Sequence, residues 1–241
     1  MRDIILQFNG GKDSLACLYL SRDILDRVLV VHCDTGATYP HMTEFIRDTC
    51  ETLGVDLKII KPKEGIIEYH KRMGVPADIV PVWSSMEASI LVKDRPLINS
   101  SLRCCWDMRW NPMREFVAQY RPTFVIRGSK KIDKAVGVPN GHAEDGITYI
   151  SPLWDMSDAD VYGYLKSIKV ELPDHYEMVQ DSLDCYLCSA FLSFDTSIEK
   201  IEFTKTRYPD LWPSLRDNLR IVKDSLASEA AAVSAALAVI A

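Results

Sequence analysis

The stretch Ile4-Ile5-Leu6-Gln7-Phe8-Asn9-Gly10-Gly11-Lys12-Asp13-Ser14 constrains the fold more than any other part of the chain. An apolar run, read as a strand over 3–8, stops at two glycines. A helical pattern over 13–25 follows, with Leu15, Leu18 and Tyr19 on one face. Glycines between a strand and a helix let the backbone pass close to a bound anion. The first N–H groups of the helix and its positive dipole end then face that anion. Lys12 adds a point charge and Ser14 a hydroxyl donor, so the N-terminal segment reads as a phosphate site. The spacing matches neither the mononucleotide loop G-x-x-x-x-G-K-[ST] nor the dinucleotide G-x-G-x-x-G.

Strand-like and helix-like segments keep alternating. Residues 28–33 read as a second strand, 41–53 as a helix and 57–60 as a third strand. Such alternation implies an α/β fold, a twisted, mostly parallel sheet with right-handed crossovers and helices on both faces. Ligands then sit beyond the carboxyl ends of the strands, where Gly10-Gly11 and Asp34-Thr35-Gly36 both fall. Residues 74–101, with Pro76, Pro81 and Pro96, read as a loop-rich excursion with a short helix near 84–92. A helix over about 105–119 and a strand over 123–126 return to the sheet. Residues 128–146 carry glycines and charges without periodicity and read as an active-site loop or lid. Tyr149-Ile150 reads as a short strand. Ser157 starts a helix, with Asp160 in an approximate capping box. Beyond 195 the chain reads as helical, ending in an alanine-rich stretch, Leu226–Ala241, that is a frayed helix or an oligomer contact. A nucleotide-binding α/β domain over 1–195, a helical extension over 196–241 and a homo-oligomer are expected.

The 28 basic and 34 acidic residues give a net charge of −6, which argues against nonspecific binding to nucleic acid while leaving room for a local basic groove. No apolar run is long enough to span a bilayer and no leader-like start is seen, so no membrane association and a cytoplasmic location are expected. Seven cysteines in such a chain are expected to be reduced, metal-bound or catalytic.

Four of the seven fall into two tight pairs, Cys104-Cys105 and Cys185-x-x-Cys188. Four thiolates can close a tetrahedral zinc site or hold a cubane cluster. A vicinal Cys-Cys pair is awkward for a closed zinc tetrahedron, which favours an iron–sulfur cluster with zinc as the alternative. Arg103 and Arg109 flank the vicinal pair and can balance cluster charge. His32 reads as a core histidine; His41, His70, His142 and His175 are scattered and carry no assigned role.

The glycine loop resembles the S-G-G-K-D-S loop of the PP-loop superfamily, the adenine-nucleotide α-hydrolases, with Asn9 in place of the first serine. Further segments resemble the phosphoadenylylsulfate/adenylylsulfate reductase branch in family order over about residues 4–190. Asp34-Thr35-Gly36 with Pro40 resembles its D-T-G motif. Cys104-Cys105 through Pro112-Met113 resembles C-C-x-x-R-K-x-x-P-L. Pro152 to Tyr164 resembles P-L-x-x-W-[ST]-D-x-D-V-W-x-Y, and Cys185-x-x-Cys188 the late C-x-x-C. The resemblance implies that the four cysteines hold a [4Fe–4S] cluster. It also implies that Asn9, Gly10, Gly11, Asp34, Thr35 and Gly36 bind an adenine nucleotide and that Lys12, Asp13 and Ser14 act on its phosphates. Asp13 and Asp34 are expected to hold Mg²⁺ or orient the ribose. Arg127, Lys130 and Lys131, with Lys134, fall where the family has a substrate loop and are expected to bind phosphate or sulfate.

Two departures shape the expected activity. The reductases place a nucleophilic cysteine in a C-terminal E-C-G-x-H segment, and no cysteine follows Cys188. Cys17 and Cys33 are expected to be buried and poor substitutes, as is Cys50. The Lys12 and Ser14 of the loop are usual in members that cleave ATP, such as the DNA-phosphorothioation sulfur-transfer protein of the Dnd system, and unusual in the reductases. The resemblance therefore implies ATP cleavage at the α–β bond to activate an acceptor, in sulfur transfer with a donor or acceptor protein. The alternatives are a sulfonucleotide reductase using a non-standard thiol and a non-catalytic nucleotide-binding subunit.

Overall fold

The structure, a computed structural model, describes residues 2–78, 98–133 and 139–238. The expected helix near 84–92, with Pro81 and Pro96, and Lys134 lie outside the described residues. Contacts divide the chain into two compact units. The first comprises Met1–Asp34, Thr38–Lys61 and Asn111–Asp184, and the second Thr35–Ala37, Pro62–Trp110 and Cys185–Ala241. Residues 196–241 thus group with the segments that carry both cysteine pairs.

The first unit is built on a six-stranded sheet of order β3-β2-β1-β6-β8-β7. Its strands are β1 (Ile4–Gln7), β2 (Val28–Cys33), β3 (Asp56–Ile60), β6 (Phe124–Ile126), β7 (Ala143–Glu144) and β8 (Ile147–Ile150). All neighbours run parallel except the β7–β8 hairpin. That hairpin occupies the end of the stretch expected to be an aperiodic loop, because Asp145 and Gly146, both at positive φ, turn the chain back on itself. Alternation along β1 sets the layers. Ile4 and Leu6 pack with Leu15, Leu18, Ile46, Val161 and Leu165, from helices α1 (Lys12–Leu20), α2 (Pro40–Thr52) and α6 (Asp158–Ser167). Ile5 packs on the other face with Val31, Val125 and, from α5 (Asn111–Tyr120), Met113 and Val117. Each fully buried Leu or Ile of this kind stabilises the fold by about 1.5–3 kcal/mol.

The expected strand at 28–33 is observed as read. The first helix is shorter than expected: it ends at Leu20, and Arg22–Arg27 forms 3₁₀ turns with a kink at Ile24. The helix expected over 105–119 is broken into three pieces. They are α4 (Ser101–Cys105), a π-helical turn over Trp106–Trp110, and α5.

The second unit contains α3 (Ile66–Met73), a two-stranded parallel sheet of β4 (Val75–Ala77) and β5 (Ile98–Ser100), α4, α7 (Ser197–Arg207) and α8 (Trp212–Ala238). Val75, Ala77 and Ile98 pack against Val222, Ile221 and Leu226 of α8. The Asn218 amide of that helix donates to the Leu187 carbonyl at 2.7 Å, which ties the helix to the Cys185–Cys188 loop. Among the described residues no helix is long and apolar enough to cross a membrane.

Candidate functional site

In the first unit, β1 ends in a tight turn that delivers backbone donors to the start of α1. Gly10 sits at φ +82°, and a Cβ there would come within 2.6 Å of the Met42 side chain. The Gly11 N–H donates to Asn9 Oδ1 at 3.2 Å. Ser14 Oγ donates to the same oxygen at 2.6 Å. Asn9 Nδ2 donates to Asp184 at 2.9 Å. Asn9 therefore supplies a bridging acceptor that organises the loop from within. The Lys12 N–H donates to the Tyr176 hydroxyl at 2.9 Å. Tyr176 lies in a 3₁₀ turn over Asp174–Glu177 whose partnership with the loop no local pattern signals.

Charged side chains close the same turn. Lys12 Nζ lies 2.9 Å from Asp13 Oδ2 and 2.9 Å from Asp158 Oδ1. Lys130 Nζ lies 2.8 Å from Asp13 Oδ1, 2.7 Å from Asp158 Oδ1 and 3.8 Å from Asp133. Lys130 is no solvated loop cation: its side chain is only 3% exposed. Burial pulls its pKa down, but the Asp13 and Asp158 carboxylates outweigh that and hold it above the usual lysine range. Lys130 and then Lys12 hold Asp158 below the usual carboxylate range. Gly128 makes this approach possible, since a Cβ there would stand 2.8 Å from Ser14 N and 2.9 Å from Asp13 C. The buried Tyr162 hydroxyl has no hydrogen-bond partner among the described residues, and Lys12 Nζ stands 5.7 Å from its ring centroid.

The structure thus brings Asn9, Gly10, Gly11, Lys12, Asp13, Ser14 and Lys130 together. Arg127 follows β6, and its guanidinium stacks 5.1 Å from the Tyr149 ring centroid; burial lowers its pKa. Lys131 is exposed, its N–H bonded to the Trp154 carbonyl at 2.8 Å. Asp34 accepts from Thr38 at 3.2 Å and pairs with Lys61 at 3.6 Å. Both oxygens of Asp13 hold lysine ammonium groups, so as arranged it does not fit Mg²⁺. Sequence reading missed the pair His41 Nε2–His175 Nδ1, 3.2 Å apart. Burial pushes both imidazoles down to about 4, with His41 adding to the effect at His175 and Asp174 opposing it at His41.

The other expected site lies within the second unit. α4 is capped by Ser100, whose hydroxyl accepts from the Arg103 N–H, and it carries Cys104 and Cys105. The Asp107 carboxylate in the π turn accepts from Arg103 Nε at 2.7 Å and from the Tyr69 hydroxyl at 2.9 Å, which pins this segment to α3. Cys104 packs with Ala37, Tyr69, Leu187 and Cys185. The Tyr186 N–H donates to the Ala37 carbonyl at 3.0 Å, setting the second cysteine pair against the Thr35–Ala37 turn. Burial first, then the neighbouring charges of Cys105, Cys185 and Cys188, pushes the Cys104 thiol up. Cys185 is raised by burial and by Cys188 and Cys105, while a hydrogen bond from Thr35 opposes the rise. All four expected ligands therefore stand near enough to feel one another. His70 Nε2, another residue missed by the sequence reading, lies 3.7 Å from Cys104 Sγ.

All seven cysteines are among the described residues, and none is in a disulfide. Burial raises the Cys17 thiol, and that of Cys50 to about 12, so neither is a ready nucleophile. Among the described residues no three or more His, Cys, Asp or Glu side chains converge on a point suited to one metal ion.

A parallel sheet whose first strand feeds a glycine loop and a helix N-terminus defines an α/β fold with an anion-facing helix start. The sequence matches the phosphoadenosine phosphosulfate reductase domain over residues 3–191, and the chain belongs to that family. The fold is similar to phosphoadenylyl-sulfate reductase from Candida auris, solved as a phosphate complex. The TM-score is 0.53 at 19% identity, covering 76% of this chain and 82% of that one. Two proteins of Methanocaldococcus jannaschii are similar in sequence. Uncharacterized protein MJ0973 is 24% identical over 88% of this chain and 46% of its own length. Uncharacterized protein MJ0066 is 24% identical over 91% and 42%. The chain thus spans less than half the length of these curated relatives.

Proposed function

We propose that the chain binds ATP through the Asn9–Ser14 loop, cleaves it at the α–β bond to activate an acceptor by adenylation, and serves sulfur transfer with a [4Fe–4S] cluster held by Cys104, Cys105, Cys185 and Cys188. The observation that carries the nucleotide reading is the turn at positive-φ Gly10 feeding the N-terminus of α1 with the Lys12 ammonium beside it, where the Gly11 and Lys12 N–H groups are held at rest by Asn9 Oδ1 and the Tyr176 hydroxyl. That arrangement suits the β- and γ-phosphates, and the orphaned Tyr162 hydroxyl beside it suits a bound ligand. An acceptor oxygen forms a bond to the α-phosphorus, the bond to the β-phosphate oxygen breaks, and pyrophosphate leaves with the electron pair. Loop N–H groups hold the leaving group, and Lys12 offsets its growing charge. Asn9 Oδ1 fixes Ser14 and the loop while this happens. When bound, the cluster would supply electrons or a local field, and Thr35 and His70 would orient its ligands.

The test is pyrophosphate release from ATP by anaerobically purified protein. Lys12→Ala is expected to lower the rate by about 10²–10³-fold with an unchanged thermal transition. An unchanged rate would remove Lys12 from the reaction. Sulfite release from a sulfonucleotide in place of pyrophosphate release would favour the reductase alternative, and binding without turnover a nucleotide-binding subunit.

A further inference from the structure

We propose that Asp158 is the resting counter-ion of Lys12, a carboxylate that an incoming phosphate displaces, and that Lys130 is the positioning residue that keeps that carboxylate in place afterwards. This rests on the reading of the Asn9–Ser14 loop as a phosphate site. One oxygen carries the argument: Asp158 Oδ1 lies 2.9 Å from Lys12 Nζ and 2.7 Å from Lys130 Nζ. The two ammonium groups share it, but their settings differ. Lys130 is sealed from solvent, and its own N–H is tied to Asp133 Oδ2 at 2.8 Å. The Asp158 side chain is 64% exposed. A group so exposed holds an ion pair weakly, so Lys12 can exchange it for a phosphate at little cost.

When Lys12 turns away, Asp158 keeps Lys130 as partner, and Asp13 keeps Lys130 through Oδ1. No carboxylate is stranded, which is the main cost of breaking a buried pair. Helix α6 does not depend on the exchange. Its first turn is closed by a capping box between Ser157 and Asp160, not by Asp158. The network thus keeps Lys12 neutralised at rest and releases it to an incoming phosphate group.

Calorimetric titration with inorganic pyrophosphate, and with ATP, tests this on the full chain. Asp158→Asn, which removes the competing charge, is expected to tighten pyrophosphate binding by about three- to tenfold. Asp158→Glu restores the charge and is expected to bind within about twofold of wild type. Asp133→Asn removes a carboxylate of the same network that does not touch Lys12, and is expected to give no tightening. Thermal transitions of all variants are recorded alongside. Unchanged or weaker binding by folded Asp158→Asn overturns the counter-ion role alone, as does equal tightening in Asp133→Asn, which would report a general field. A wild-type protein that binds neither pyrophosphate nor ATP overturns the phosphate-site reading and this role with it.

Discussion

In the first unit a nearly sealed ammonium, Lys130, is matched by Asp13 and Asp158; in the second, buried Cys104 and half-buried Cys185 stand beside thiols whose charges would repel theirs. The first arrangement is balanced by its own side chains. The second becomes favourable for thiolates only when a cationic centre joins it, because burial and mutual repulsion both oppose ionisation. On the proposed reading the loop site would be balanced before a ligand arrives, whereas the thiol site would draw part of its stability from a bound cluster.

The largest expected effect follows from that contrast. Stripping iron from anaerobically purified protein is expected to speed amide hydrogen exchange at Cys104–Cys105 and Cys185–Cys188 by at least about 100-fold, with β1 and β2 unchanged. Equal loss of protection in both units, or none in either, would break the comparison. Next, Gly128→Ala forces a Cβ against the Asp13–Ser14 backbone and is expected to cost about 1–3 kcal/mol in denaturant unfolding while iron content stays constant. Wild-type stability would show that the first unit yields there.

The smallest expected effect concerns acid. Burial leaves His41 and His175 neutral in the folded chain down to about pH 4, whereas the unfolded chain protonates them near 6.5. Between those values the unfolded state binds more protons. The stability that the pair contributes is therefore present above about 6.5 and is lost as pH falls toward 4, by about 1–3 kcal/mol in all. Replacing His175 by Gln is expected to flatten this limb of a pH–stability profile; an identical limb would remove the pair from it.

The sequence made legible what local pattern controls. Val28–Val31 is an unbroken apolar run, and Val28–Cys33 forms the strand expected there. Ser157 and Asp160 form the capping box their spacing implies. Both cysteine pairs fall within one unit. Long-range partnership was hidden. Gly128-Ser129-Lys130-Lys131 looks like a solvated basic loop until Asp13 and Asp158 arrive from segments 117 and 28 residues away. Pro76, at the middle of β4, argues against a strand by composition, yet a short two-stranded sheet leaves it an edge to occupy. The π turn at Trp106–Trp110 has no period of its own and was absorbed into one long helix. Tyr176 and His175 were invisible because their roles depend on a turn packing on residues more than a hundred positions earlier.

The capping box of α6 has a consequence for how this protein can change over time. Asp160 starts the helix and Asp158 faces the lysines, so two neighbouring carboxylates divide a structural task and an electrostatic one. A substitution at 158 can reset how readily the loop gives up its lysine while the helix still nucleates in its old place. On the proposed counter-ion role, affinity for phosphate would be adjustable by a single exposed residue, and descendants of this chain could drift between tight and loose anion binding without refolding the site.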